Sequence, residues 1–582
     1  MADGILLPWD RFNDWVHCIC IVTFDLELGQ ALELVYPGHA KLTEKEKMNI
    51  CYLAFPDSNS GCIGDTCFHF RMRRLSTKHM RPAHLKYNQK CQLPLQIDSG
   101  YYFGFVYFRQ VKDKTVPRGY LQKSVVLISL LPLVKLFTTV VETIAPEYFD
   151  NGEPSIEAAC HDLDQWPAPK AGVNMNVPLM GNVLHFRLPS RFDPPSLPKH
   201  LTAHGSEQSS LPVPILLPSV HETDLYESFC SVISNVQLLW ELVLLGESLA
   251  VMAASPTQCS AFVQSLVSLI WPLRYCQDFR PFFTIHDSEF REYTSRTQLP
   301  PNIILGVTNP FFAKTLQHWP HVVRLGEAGG SQNSSPRSAA ADSIARRVAK
   351  KTGGDLRTLD SRSDVFTQYR PYLVKDKALL KRLAKGVDSA RPSAVQSAII
   401  RRHFLEITQS FMIPLERYIA SLMPLQKQIS PFKSAPKARQ FDFDEFLSTL
   451  DVTGPGLTSG IKGDWIGLYR RFIETRNFEG WYQQRQREVE HKLQLLHLET
   501  LCATDFSDLA LEQMPEVELV DLVLKMRENV AFVEANKESV KAELTKKLYQ
   551  QVNIVLNALN DDLKATLLAP SRQQPLLPLA SS

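Results

Sequence analysis

Charge of one sign is what this sequence most lacks: 63 lysines and arginines stand against 61 aspartates and glutamates, a formal +2 over 582 residues. A whole-molecule field that draws nucleic acid or a lipid surface is therefore excluded as the basis of function. Long apolar runs are missing too. The most hydrophobic stretch, Ser124 to Val134, is too short to span a bilayer and contains Pro132. Met1 to Trp9 has no basic n-region and no long apolar core, so no secretory signal is read. Ala2 stands where myristoylation needs glycine, and Pro578 to Ser582 offers no prenylation cysteine. Nothing here is expected to anchor the chain to a membrane by itself. The eleven cysteines are odd in number and scattered, as befits reduced cytosolic thiols rather than a disulfide framework. No repeat of fixed period is visible.

A coherent catalytic set is also absent. Gly454 to Lys462 suggests a phosphate loop, but Ile461 separates Gly460 from Lys462, and Gly463 replaces the hydroxyl residue that must follow the lysine. His221-Glu222 begins like a zinc-protease helix, with Leu225 where the second histidine belongs. Gly246-Glu247-Ser248-Leu249-Ala250 ends in alanine where a nucleophile elbow needs glycine. His286-Asp287-Ser288 has the residue types of a triad in adjacent positions, which is not how triads assemble. Cys51, Cys62, Cys67 and His69 do not follow a zinc spacing and read as buried thiols beside a strand histidine. These absences favour binding over covalent chemistry, and neither cofactor nor metal is expected.

What is present begins with a hairpin. Apolar runs His17–Val22 and Ala31–Tyr36 flank the polar break Thr23–Gln30. Thr43-Glu44-Lys45-Glu46 follows as a capping box, and Ile50, Cys51, Leu53 and Ala54 give its helix one apolar face. Strands are expected at Thr66–Met72, Tyr101–Val111 and Gly119–Ser129, with an irregular loop from Arg71 to Gln96 and a helix at Leu131–Ile144. The loop carries Arg73-Arg74-Leu75-Ser76, a basic phosphorylation-type sequence. Pro189 to Pro214 reads as a proline-rich linker. A second α/β unit is expected from a long helix at Leu225–Leu244, a strand at Ser248–Ala253, a helix at Cys259–Ile270, an aromatic turn at Trp271–Phe283, a strand at Asn302–Val307 and a helix at Phe311–Trp319. Ala328 to Phe366 is a second linker. Seven basic residues there outnumber four aspartates, so it is a basic connector or a tether to anionic lipid. From Lys375 the pattern is helical: Ala378–Leu383, Ala394–Ile413, Phe441–Leu450, Tyr482–Leu501, Val517–Ala535 and Lys537–Leu559, with Pro414 and Pro424 expected to break or kink one long helix.

The wording of several segments carries a resemblance. Phe24-Asp25-Leu26-Glu27-Leu28-Gly29, Val35-Tyr36-Pro37, Leu53 to Ser58 and Gly104 to Arg109 resemble the upstream, longin-like part of a DENN domain. Leu239 to Ser248 and Pro301 to Phe311 look like the central part, and Lys462-Gly463-Asp464-Trp465 falls in the downstream part. The compact length points to the sixth DENN subfamily. The fold class implied is α/β plus α in three pieces: a longin-like module over residues 11–188, a central α/β module over 215–327 and a helical module over 367–563. Linkers at 189–214 and 328–366 and tails at 1–10 and 564–582 complete the layout.

DENN proteins act as guanine-nucleotide exchange factors for Rab GTPases, so the resemblance implies a Rab partner gripped at its switches by the first two modules. The subfamily implies an endosomal recycling Rab, Rab fourteen first, with a cytoplasmic protein recruited to recycling endosomes by peripheral membrane association and no nucleic acid. Contact is expected from the loops Phe55–Asp65, Arg109–Asp113, Phe283–Phe290 and Thr308–Phe312, with Asp57, Ser58, Asp65, Arg109, Asp287, Asn309, Phe311 and Phe312 as the candidate residues. Asp57 and Ser58 are expected to face solvent, because Pro56 ends the capped helix. The alternative is a trafficking scaffold that binds a Rab or an adaptor without exchange activity.

Overall fold

The computed structural model describes all residues except 1–8, 26, 28, 58–63, 76–78, 115–118, 194–213, 296–298, 327–362, 452–453, 456–459, 505, 507–513, 537–539 and 569–582. The chain divides into two compact units: Met1–Ser410 with Gly456–Asn477, and Phe411–Pro455 with Phe478–Ser582. The longin-like and central modules thus share the first unit, and the helical part is divided between both.

The first unit opens with helix α1 (Phe12–Trp15) and the hairpin of β1 (Cys18–Asp25) and β2 (Gly29–Tyr36), whose strands run further into the polar break than the pattern suggests. Helix α2 (Glu44–Leu53) carries the complete capping box. Thr43 accepts from the Glu46 backbone, and the Glu46 carboxylate accepts the Thr43 N–H at 2.8 Å. Then come β3 (Gly64–Arg73), α3 (Pro82–Lys90), β4 (Tyr101–Lys112), β5 (Tyr120–Ser129), α4 (Val134–Asn151) and α5 (Glu153–Asp164). The segment read as an irregular loop from Arg71 therefore contains the end of a strand and α3, which starts on Pro82, a residue suited to a first helical turn. Ser76 lies outside the described residues.

The strands form one antiparallel sheet in the order β2-β1-β5-β4-β3. One face buries Cys20, Val22, Val106, Phe108, Phe68 and Phe70 with Ile50, Cys51 and Leu53 of α2. On the other, Phe105 meets Phe137 of α4 at 5.2 Å between ring centroids. Gly104 pairs with Phe70, whose ring sits 2.1 Å from where a Cβ would be, so only glycine admits it. By strand alternation Cys67 and His69 point away from the face holding Phe68, Phe70 and Cys51, so Cys51 cannot join them in a cluster. Cys62 lies outside the described residues, and among those described no group of three ligating side chains could hold a metal.

A small sheet that the pattern reading did not foresee comes next: β6 (Asn174–Leu179), β7 (Asn182–Arg187) and β8 (Pro214–Leu216). The central module follows with α6 (Leu225–Phe229), a 3₁₀ turn at Cys230–Asn235, α7 (Val236–Leu244), β9 (Leu249–Met252), α8 (Pro256–Ser268), β10 (Asp278–Phe283), α9 (Phe290–Thr294), β11 (Ile303–Val307), α10 (Phe311–Thr315), β12 (His321–Arg324) and β13 (Asp364–Thr367). The single helix expected over Leu225–Leu244 is broken at Val232, whose φ is −128°. Serines, an asparagine and β-branched residues there favour non-helical backbone. The supposed aromatic turn holds strand β10, whose burial on both faces hides any alternation. The sheet order is β10-β11-β9-β12-β13, parallel except for β13. β13 begins inside the segment read as the second linker.

The helical part comprises α11 (Lys377–Asp388), α12 (Ser393–Ser421), α13 (Phe443–Ser448), α14 (Trp465–Ile473), α15 (Arg476–Ala503), α16 (Glu516–Ala535), α17 (Ala542–Asn557) and α18 (Asp561–Leu568). Pro414 does not break α12, which runs through it and ends at Ser421, before Pro424. Having no N–H, Pro414 leaves the Ser410 carbonyl without its helical donor, at the residue where the first unit ends. α18 runs past residue 563, the expected end of this module. The second unit has its own core of Leu498, Val523, Met526, Leu548, Val552 and Val555. Among the described residues no helix is long and apolar enough to cross a membrane.

Candidate interaction site

Parallel strands of an open α/β sheet present their following loops at one edge, the usual place for function in such sheets. Here the loops after β10 (Thr284 to Glu289) and β11 (Thr308 to Pro310) leave that edge, and a residue of the longin-like module ties them together. Asp57, just beyond α2, accepts from the Asn309 side-chain amide at 3.0 Å and from the Ile285 backbone N–H at 3.3 Å. Its own carbonyl accepts from the Thr308 hydroxyl at 3.3 Å. Asp57 is thus half-buried in a joint and not solvent-facing as expected. Burial pushes its carboxyl above the usual range, while the Asn309 and Ile285 hydrogen bonds pull it back. The other carboxamide atom of Asn309 accepts the Phe311 N–H at 3.0 Å, so this residue both starts α10 and clasps Asp57.

Around the joint lies a row of rings. Tyr52 of α2 stacks on the exposed His286 at 4.9 Å between centroids, and Phe290 stacks on Phe311 at 6.3 Å. Phe311 is 51% exposed, whereas Phe312 is wholly buried with Phe283, Leu316 and Trp319. Phe312 therefore serves the core, and its side chain is not a contact residue. Asp287 is likewise buried. Its carboxylate accepts the Glu289 N–H at 2.9 Å, and burial pushes it upward. Ser58 lies outside the described residues.

Asp65 and Arg109 face each other across β3 and β4 in a two-pronged ion pair at 2.7 and 2.8 Å, with the Tyr107 hydroxyl on the same carboxylate at 2.6 Å. Hydrogen bonds from Arg109 hold Asp65 below the usual carboxylate range. Arg109 also lies over Phe149. It stands on the strand, so the supposed loop Arg109–Asp113 is strand as far as Lys112.

Sequence reasoning missed the seam behind this joint. β3 and β10 are both edge strands, and each caps the other through an arginine: Arg71 donates to the Phe279 carbonyl at 3.3 Å and Arg280 to the Arg71 carbonyl at 3.2 Å. Arg71 also pairs with Asp278, and Arg280 with Asp278 and Glu289. Burial opposes the charge on Arg280, but Asp278 and Glu289 outweigh it and keep the guanidinium protonated. The only sequence signal was arginine inside an apolar strand, at Arg71 and Arg280.

An antiparallel longin-like sheet, a mostly parallel α/β sheet locked to it and a helical remainder define the tripartite DENN architecture. The family models agree: residues 16–159 match the transport protein Avl9 family, and 508–570 match the DENND6 C-terminal domain. Mouse (Mus musculus) protein DENND6A is 53% identical over 567 residues, covering 97% of this chain and 91% of the relative. Human (Homo sapiens) protein DENND6B is 51% identical over 569 residues, with 97% and 94% covered. The Dictyostelium discoideum DENND6 homolog is 33% identical over 606 residues, with 93% and 80% covered. The chain belongs to the DENND6 family, the sixth DENN subfamily.

Proposed function

We propose that this protein is a guanine-nucleotide exchange factor for a Rab GTPase of the endosomal recycling route, with Rab fourteen the first to test. The observation that carries the reading is the Asp57 clasp. It fixes the loops at the carboxyl ends of β10 and β11 against the longin-like module and leaves His286, Ser288 and Phe311 exposed beside Tyr52 and Phe290. Aromatic groups set among polar ones have the composition of an interface centre. Asp65 and Arg109 form a second, half-exposed polar group. An exchange factor needs only to hold the nucleotide-free GTPase more tightly than the loaded one, which weakens nucleotide binding by linkage. A thousandfold faster release needs a barrier about 4 kcal/mol lower, within reach of one interface. Asp57, Asn309, Asp287 and Phe312 act by holding the loops in place.

Release of fluorescent GDP from a panel of Rabs tests the reading. Acceleration with a recycling Rab, together with tightest binding to that Rab when it is stripped of nucleotide, is expected. Preference for the GTP-bound form without acceleration would favour a passive scaffold instead.

A further inference from the structure

The near-neutral chain distributes its positive charge unevenly. From Lys375 to Arg402, across α11 and the start of α12, eight basic residues stand against two acidic ones, Asp376 and Asp388. Asp376 is occupied as the cap of α11, accepting the Ala378 N–H at 2.7 Å. Arg401 pairs with Glu222 at 3.3 Å, but Lys377, Lys381, Arg382 and Lys385 have no carboxylate partner among the described residues. The nearest stretch of chain outside the described residues, 327–362, holds no surplus of acid that could supply one. Seven basic residues there stand against Glu327, Asp342, Asp355 and Asp360.

Packing turns these four side chains into a surface. α11 buries Leu379, Leu383 and Gly386, and α12 lies against that face: Gln396 donates to the Leu383 carbonyl at 3.1 Å and takes the space that a Cβ on residue 386 would need. Helical spacing puts Lys377, Lys381 and Lys385 in one stripe on the opposite face, and all three are exposed together with Arg382. The stripe does nothing for the helix that carries it. Like charges four residues apart repel, and Lys377 and Lys381 stand near the positive end of the helix dipole.

We infer that this stripe docks on an anionic lipid bilayer by charge alone, with α11 resting on the headgroups and not among the acyl chains. Its apolar face is already packed inside the unit, which excludes the insertion that a free amphipathic helix makes. A convex helix ridge offers an acidic peptide no groove, whereas a flat, fluid layer of negative headgroups needs none. Nucleic-acid phosphate is held best by the planar fork of arginine beside stacking rings; the stripe is lysine, and α11 contains no ring. The inference is independent of exchange activity.

Co-flotation of the full-length protein with phosphatidylcholine vesicles, with and without phosphatidylserine, tests it. Binding is expected only to the anionic vesicles and should weaken as salt is raised. Lys377→Glu/Lys381→Glu/Lys385→Glu should lower partitioning at least about tenfold, because each basic side chain near such a surface contributes attraction. Its melting temperature should hold or rise, since carboxylates suit the first turns of a helix. Lys377→Gln/Lys381→Gln/Lys385→Gln, which removes the charge and keeps the helix propensity, should lose binding in the same direction. Acetylation of Lys377, Lys381 and Lys385 by a water-soluble reagent should slow when phosphatidylserine vesicles are present. Vesicle binding without that protection, equal binding by both variants, indifference to phosphatidylserine, or no binding to either vesicle would each overturn the inference; the last would redirect the charge to an acidic protein partner.

Discussion

At the scale of the residue, Asp57 and Asn309 lie 252 positions apart and form one device. Removing either leaves a half-buried partner without its hydrogen bond, at a cost of about 1–3 kcal/mol. Asp57→Ala should therefore lose stability, unlike an ordinary surface change, and should lose exchange as well. Because each single change already breaks the clasp, the double variant should be less destabilised than the sum of the two, by at least about 0.5 kcal/mol. Urea denaturation of the four proteins gives that difference, and strict additivity would mean the two residues act separately. The local half of this arrangement is legible in the sequence: a polar residue before Pro310 and Phe311 is a helix-start signal. The long-range half is not, since nothing in the Asp57 neighbourhood marks which distant loop will meet it.

At the scale of the element, one buried carboxylate fixes the chain that follows β13. Glu241 on α7 accepts from the Tyr369 hydroxyl and the Tyr372 N–H, both at 2.9 Å, and from the Leu373 N–H at 3.2 Å. One helical turn earlier, Gln237 donates to the Val374 carbonyl and accepts the Asp376 N–H. Glu241→Ala would strand two backbone donors and a phenol, so a loss of about 2–4 kcal/mol is expected. Hydrogen exchange should quicken at residues 369–376 well before it does in β9. Uniform change across the unit would mean Glu241 is not a local strap. Element types were legible where one local rule sufficed, as for the Thr43–Glu46 box. They were lost where burial on both faces hid the period, as in β10. In β6 the buried residues Met175, Val177 and Leu179 alternate with more exposed ones, a period-2 strand signal written in the sequence.

At the scale of the whole molecule, the order of pieces could be read from the sequence, while the division into units could not. The boundary at Ser410 falls inside α12, where no glycine or loop announces it. The family's segments, spread over nearly the full length, carried the architecture; the crossed arginines that weld its two five-stranded sheets carried no such label.

β12 and β13 have a consequence for engineering. Arg324 and Asp364 are directly paired across these antiparallel strands, so everything between them leaves from and returns to one spot. The ends are set by the ladder and not by what joins them. Closing a longer connection costs slowly, about 0.6 kcal/mol for each doubling. A reporter domain whose own termini lie close together, spliced after Ala340, should thus shift the urea midpoint only slightly and leave GDP release intact. A large drop in the midpoint would show that the joining residues are themselves part of the packing. If the splice is tolerated, the protein can carry an internal fluorophore with both of its own ends free.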